Sequence, residues 1–338
     1  MVHVKDEGIV LEKTGNEFES HAVLNPACIE IGGVTHMLYR AVREGDFVSS
    51  IGHCIIDGKK DIQRFDKPAL FPEFDYEKHG VEDPRIVLFE GLYYVFYTAF
   101  DGKNALIAYA TTPDMVTFTK HGVISPTISY KEAARIFCRP NVREKYFLFD
   151  AYTRDRAGED ILLWEKDAFI FPRKIKGKIA LVHRIMPGIQ IIYFDDFKDL
   201  TNEFWRDYLK NLARHILLDP LFVFESRNVG GGCPPIETKD GWLFIYHAVE
   251  DSLIGSVYHA AAALFDINDP TKLIGRLSYP LFSPKEEWER KGTVNNVVFP
   301  SGTVLKYDRL HIYYGAADEL IAEKSLDINE LLSELKKK

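Results

Sequence analysis

The chain has 338 residues, of which 46% are hydrophobic and 13% aromatic, ample for a buried core. Its 42 basic and 50 acidic residues give a net charge of −8, which argues against a general nucleic-acid binder but leaves room for a local basic pocket. No apolar run is long enough for a membrane-spanning helix, and Met1-Val2-His3-Val4-Lys5-Asp6-Glu7 lacks the apolar stretch of a signal peptide, so a cytoplasmic location is expected. Cys28, Cys54, Cys138 and Cys233 form no CxxC pair and read as reduced, buried thiols. No low-complexity linker interrupts the chain, so residues 1–338 are read as a single domain.

In chain order, strand signals dominate. A proline-led strand start followed by an aromatic strand occurs at Asn25-Pro26, with Met37-Leu38-Tyr39-Arg40 after it. The pattern recurs at Asp83-Pro84 with Tyr94-Val95-Phe96-Tyr97 and at Phe171-Pro172 with Leu181-Val182-His183-Arg184. It recurs again at Pro234-Pro235 with Phe244-Ile245-Tyr246-His247 and at Phe299-Pro300 with Ile312-Tyr313-Tyr314-Gly315. Short strands repeating every ~60 residues suggest an all-β radial repeat, a β-propeller. Polar residues at the ends of its strands would converge on one axial pocket. Ile86–Phe89, Glu90-Gly91 and Leu92–Tyr97 read as a tight hairpin. Leu106–Ala110 is apolar nearly throughout, as suits a strand packed between neighbours.

Two segments break the repeat. Residues 127–165 read as an insertion holding a hairpin, with Tyr146–Phe149 and Ile161–Trp164 as its strands. Residues 199–217 read as a helix capped by Asp199 or Thr201, with Phe204, Tyr208, Leu209 and Leu212 in a stripe. A short helix over Asp327–Leu335 ends in Lys336-Lys337-Lys338, which complements its dipole.

Glu82-Asp83-Pro84-Arg85 is the sharpest local feature. Proline pins the turn, and a carboxyl group in a partly desolvated pocket has a raised pKa and serves as a general acid. The plainer reading is a turn aspartate with Arg85 as its surface partner. Lys166, His183-Arg184 and His247 form a basic group able to bind an oxyanion, although charges at strand ends commonly face solvent. Asn25, Arg40, Tyr258, Tyr314 and Asp318 suit sugar hydroxyls and sugar C–H faces, although aromatic residues also serve blade packing. Gly230-Gly231-Gly232-Cys233-Pro234-Pro235 lacks the ending of a phosphate loop and reads as a close backbone approach to the pocket.

Taken together, Gly80–Ile86, Lys166–Pro172, His183-Arg184, Gly231–Ile236, Gly241–His247, Asn296–Pro300 and Tyr313–Asp318 resemble glycoside hydrolase family 130, the inverting β-mannoside phosphorylases and related mannosidases. The resemblance runs nearly end to end and implies a five-bladed β-propeller, with the inserted segment and short helices outside the blades. It implies Asp83 as general acid, and Lys166, Arg184 and His247 around phosphate. It places Asn25, Arg40, Tyr258 and Asp318 on the mannose wall, and Glu82, Arg85 and Tyr314 are counted with them as substrate-binding. Asn104 stands where many phosphorylases have arginine; Arg135 and Arg139 are the candidate substitutes.

The implied reaction is phosphorolysis of a β-linked mannoside, β-1,4 or β-1,2, to α-mannose 1-phosphate. Inorganic phosphate is co-substrate and no metal or other cofactor is expected. The rivals are an inverting β-mannosidase, for which Glu225 or Glu250 would have to act as base, and a non-catalytic sugar-binding propeller. Partners expected are a mannose-containing oligosaccharide and phosphate, not nucleic acid or membrane; helical segments outside the blades are candidates for contacts in a homo-oligomer.

Overall fold

The computed structural model describes residues 1–58, 61–137, Tyr146 and 161–337. The chain is nearly all β, with a few short helices. The strands are β1 (Val4–Leu11), β2 (Ala22–Ile31), β3 (Val34–Val42), β4 (Ser49–Asp57), β5 (Asp61–Arg64), β6 (Gly80–Phe89), β7 (Leu92–Phe100), β8 (Ala105–Thr112) and β9 (Thr119–Val123). They continue with β10 (Lys166–Ile170), β11 (Ile179–Arg184), β12 (Ile189–Phe194), β13 (Ile216–Leu218), β14 (Asn228–Gly231), β15 (Ile236–Thr238), β16 (Gly241–Ser252), β17 (Gly255–Phe265) and β18 (Leu273–Arg276). The last three are β19 (Val298–Lys306), β20 (Arg309–Ala316) and β21 (Leu320–Asp327). The helices are α1 (Tyr130–Phe137), α2 (Asn202–Lys210), α3 (Glu287–Arg290) and α4 (Ile328–Leu335).

The strands pair as antiparallel meanders. β10 to β13 form one sheet, and β14, β16, β17 and β18 form another, with β15 paired to β16. β2 to β9 form a third, in which one parallel bridge, Ser49 to Gly80, links the meanders β2–β5 and β6–β9. In the last sheet β1, from the N-terminus, pairs with β21, so the two ends of the chain close one unit. The first strands pack on one another: β19 against β2, β2 against β6, β6 against β10, and β10 against β14.

Local chemistry explains several elements. Glu90 (φ 48°) and Gly91 (φ 84°) are both left-handed, as a two-residue hairpin turn of the I′ type requires, and β6 and β7 pair across them. All eight residues of β8 are buried. Cys28, Cys54 and Cys233 are free and buried. The helix expected over 199–217 is shorter: the Thr201 side chain caps α2, a single 3-10 turn follows at Leu212–Arg214, and Ile216–Leu218 becomes β13. The expected inserted hairpin lies largely outside the described residues. Within them, 130–137 is helical and Leu162 makes an isolated bridge to Ser129.

The repeat is present, and Pro234-Pro235 leads directly into β15, but the other prolines do not open strands. Pro26, Pro84 and Pro300 lie inside β2, β6 and β19 at register shifts, where a missing N–H costs no ladder bond. The aromatic stretches fall on the second strand of each meander. There a buried motif recurs. Tyr39 donates to Glu19 at 2.7 Å, Tyr97 to Glu77 at 2.7 Å, Tyr246 to Glu225 at 2.8 Å and Tyr314 to Glu289 at 2.7 Å. All four glutamates are fully buried, and each also meets a cation: Arg64, Lys120, Arg276 and Lys324 respectively. In the third meander Glu165, His183 and Tyr208 replace this set. Each carboxylate ties the segment before a first strand to the second strand. Truncating one strands a buried cation, so Glu225→Ala is expected to cost about 3–5 kcal/mol of unfolding free energy by urea denaturation. A loss under ~1 kcal/mol would show that the motif behaves like a surface pair.

Candidate active site

The first strands bulge at matching places, and polar residues occupy the bulges. Asn25 (φ 48°), Asp83 (φ 51°) and Asp167 (φ 58°) are all left-handed. Asparagine and aspartate tolerate this conformation better than other non-glycine residues. Each sits in or beside a register shift, in β2, β6 and β10. A bulge re-aims a side chain out of the ladder, and here the three side chains enter one cluster.

Asn25 Nδ2 donates to Asp83 Oδ1 at 2.8 Å. Arg40, from β3, donates to Glu82 Oε1 at 2.8 Å and lies 3.6 Å from Asp83 Oδ1. Lys166 reaches Glu82 Oε2 at 3.5 Å. Burial alone would raise the Asp83 pKa, but Arg40, Lys166 and the Asn25 hydrogen bond outweigh it and hold the carboxyl below its usual range. Asp318 (φ 54°) belongs to the same electrostatic cluster. Burial pushes its carboxyl up to about 6, with Arg40 and Lys166 opposing and Asp83 and Glu82 reinforcing the rise.

Beside these carboxylates lies a basic corner. Arg184 NH1 lies 3.0 Å from Asp167 Oδ2 and 3.1 Å from His247 Nε2. Arginine only donates, so Nε2 accepts and the His247 proton is on Nδ1. Burial pushes the His247 pKa down to about 3, so the ring is neutral. Tyr258, half-buried, has its ring centroid 6.5 Å from that of His247. Among the described residues, Asn25 Oδ1, Asp167 Oδ2, Arg184 Nε and His247 Nδ1 are buried side-chain atoms without a protein hydrogen-bond partner. Such atoms are rare in folded proteins, and four of the eight among the described residues belong to this cluster.

Two residues counted as substrate-binding are placed differently. Tyr314 points into the core, fully buried with its hydroxyl on Glu289, because its strand neighbour Gly315 occupies the face toward Asn25. Arg85 is fully buried as well. Its guanidinium serves the carbonyls of Asp83 (3.1 Å), Pro84 (3.0 Å), Gly231 (3.3 Å) and Gly232, and lies 3.5 Å from Asp167. It fastens the Asp83 bulge to the glycine-rich stretch. Asp167 was missed by sequence reasoning, which gave it no role; the available signal was its place ahead of Arg184, like that of Asn25 ahead of Arg40.

Asn104 is engaged elsewhere: it donates to Asp101 and accepts from the Leu162 amide at 3.0 Å, pinning the end of the inserted segment. Arg135 is exposed on α1, and Arg139 lies outside the described residues. Gly230 faces His247, and a Cβ there would fall 2.3 Å from its ring and 2.8 Å from Asp167. Gly230→Ala must therefore displace the imidazole. It is expected to weaken oxyanion binding at the basic corner about tenfold, read by calorimetry with inorganic phosphate as the probe. Unchanged binding would place the imidazole outside that corner.

Among the described residues no helix is long and apolar enough to cross a membrane, and no group of three or more His, Cys, Asp or Glu side chains could hold a metal ion.

The chain is similar to known proteins over nearly its whole length. The 1,2-β-oligomannan phosphorylase of Thermoanaerobacter sp. (strain X514) is 33% identical over 337 residues, covering 97% of each chain. The β-1,2-mannobiose phosphorylase of the same organism is 34% identical over 318 residues, covering 90% of this chain and 89% of that one. Among solved structures, a β-1,2-mannobiose phosphorylase from Listeria innocua in complex with β-1,2-mannobiose superposes with a TM-score of 0.74 at 23% identity, covering 99% of each chain. The family profile described as β-1,4-mannooligosaccharide phosphorylase matches residues 5–337, and the chain belongs to glycoside hydrolase family 130.

Proposed function

We propose that the chain is an inverting phosphorylase that cleaves a β-linked mannoside with inorganic phosphate, yielding α-mannose 1-phosphate and a shortened sugar. The observation that carries this reading is the basic corner of Lys166, Arg184 and neutral His247 set directly beside the Asp83 carboxyl. A phosphate oxygen attacks the anomeric carbon from one face. The glycosidic C–O bond breaks on the other, and the leaving oxygen takes the proton of Asp83. Phosphate is already a nucleophilic anion, so the reaction balances without a second catalytic carboxylate, a metal or an organic cofactor.

In the free protein Asp83 is held ionised by Arg40 and Lys166, against the effect of burial. A phosphate dianion beside Lys166 and Arg184 offsets that positive charge and moves the carboxyl back toward protonation. Phosphate binding thus arms the acid. Asn25, Arg40, Glu82, Tyr258 and Asp318 are assigned to the sugar; Arg85 and Asp167 position the groups around them.

Neither candidate base of the hydrolytic alternative is free to activate water. Glu225 is fully buried between Tyr246 and Arg276, and Glu250, three residues from His247 on the opposite face of β16, is engaged with His259 at 3.2 Å. The near full-length relatives named for β-1,2 linkages favour a β-1,2-mannoside. We further infer that the five meanders are blades of a propeller, closed where β1 completes the C-terminal sheet. A single domain and a cytosolic setting, where phosphate is available and a sugar phosphate is retained, fit the same reading.

Purified protein incubated with β-1,2- and β-1,4-mannobiose, with and without phosphate, tests it. Mannose 1-phosphate formed only with phosphate is the expected result. Free mannose at equal rates without phosphate would make the enzyme a hydrolase, and binding without turnover would leave a sugar-binding protein.

A further inference from the structure

A pocket of about 620 Å³ lies in the cleft between the first two meanders. Its walls include Glu17 and Phe18 from the segment before β2, Arg43 and Asp46 from the β3–β4 loop, and Phe71 and Lys78 from the segment between β5 and β6. These segments lead into β2, β4 and β6 or out of β3 at the end of the sheet that carries Asn25, Arg40, Glu82 and Asp83. Val48 and Ser50 also line it, and Ser49 between them accepts from Arg40 Nε at 2.9 Å. Ser49, flanked by two residues that line the pocket, therefore links it to Arg40 of the active site.

Its chemistry is specific. Phe71, 49% exposed, and Phe18 supply aromatic surface. Arg43 is fixed by Asp46 at 3.0 Å and approaches Glu17 at 3.4 Å, which sets planar polar groups beside the rings. Three carboxylates, those of Glu17, Asp46 and Asp66, face two cations, Arg43 and Lys78, so the lining disfavours an anion. The volume falls within the roughly 300–1,000 Å³ of small-molecule sites. Aromatic surface for C–H faces, with carboxylates and a guanidinium for hydroxyls, suits a neutral polyhydroxylated ring.

We propose that this pocket is a second sugar-binding site, which takes a mannosyl residue in the leaving portion of an oligosaccharide whose terminal bond lies at Asp83. The inference rests on the phosphorolytic reading and adds to it a preference for chains longer than a disaccharide.

The test compares phosphorolysis of β-1,2-mannobiose and β-1,2-mannopentaose by wild type, Phe71→Ala and Glu17→Ala. Glu17 is 83% exposed and touches only the Arg43 edge, so its loss does not threaten folding. Each variant is expected to lower kcat/KM for the pentaose about tenfold while the mannobiose value stays as in wild type. Equal losses on both chain lengths, or none on either, would overturn the second site. Wild type that makes no mannose 1-phosphate from either sugar would instead overturn phosphorolysis. The pocket is then judged by calorimetry: pentaose binding to Asp83→Asn against Asp83→Asn/Phe71→Ala, where weaker binding by the double variant supports the pocket and equal binding rejects it.

Discussion

Asp83→Asn is expected to lower phosphorolysis by about 10³-fold, within the usual range for removing a general acid, while mannobioside affinity stays near that of wild type. The asymmetry follows from the position. Asp83 sits at φ 51°, a conformation that asparagine adopts readily and alanine does not, so the amide keeps the bulge that a smaller residue would strain. The amide oxygen still accepts from Asn25 Nδ2, and Arg40 keeps its bond to Glu82. What disappears is the proton for the leaving oxygen. Phosphate-dependent release of mannose 1-phosphate and calorimetry of mannobiose binding are the two readouts. Activity retained above roughly a tenth of wild type would remove Asp83 from the role of acid. A loss of sugar affinity in step with the loss of rate would make it a binding residue instead.

How far the site could be read from the sequence depends on which residues owe their role to near neighbours. Asp83 was legible because Glu82-Asp83-Pro84-Arg85 is local: two carboxylates, a proline and an arginine in one turn. Arg184 and His247 were legible because each follows the apolar stretch of a repeat at a matching place, although in the structure Arg184 ends β11 and His247 lies inside β16. Asp167 was not, since its role comes from partners far away in sequence, Arg184, Arg85 and His247, and from a left-handed backbone that no neighbouring proline announces.

Tyr314 shows the opposite error. Side chains alternate along a strand, so one residue separates two faces. Tyr39, Tyr97, Tyr246 and Tyr314 occupy one equivalent position and bind buried glutamates. The residues after them, Arg40, Thr98, His247 and Gly315, occupy the position that faces the site. Counting aromatic residues cannot separate these faces; aligning the strands can. The meanders themselves were legible from turn and aromatic spacing. The bulges were not, because Pro26, Pro84 and Pro300, read as strand openers, lie inside the strands.

Arg184→Ala is expected to raise the phosphate KM at least about 30-fold, the lower end for truncating one partner of a buried, hydrogen-bonded charge pair. Arg184 Nη1 lies between Asp167 Oδ2, its ion-pair partner at 3.0 Å, and His247 Nε2, which accepts from it at 3.1 Å. Without it the Asp167 carboxylate keeps only the more distant Arg85 guanidinium at 3.5 Å and turns from a positioning group into a repulsive one for phosphate. Arg184→Lys should recover part of the affinity, because an ammonium restores charge but not the fixed planar geometry that sets Nη1 between Asp167 and His247. Mannobiose binding without phosphate should stay near wild type, since Asn25, Arg40 and Glu82 keep their contacts. Initial rates across phosphate concentrations give the result. A fall in kcat with unchanged phosphate KM would move Arg184 out of the phosphate corner. The pH dependence separates its role from that of its neighbour. His247, pushed down to about 3 by burial, stays neutral from pH 5 to pH 8. Phosphate affinity in wild type should therefore rise with pH as the dianion forms, opposed by ionisation of Asp318 near pH 6 rather than by loss of a charged histidine; a fall across that range that persists in Asp318→Asn would mean that His247 binds phosphate as a cation.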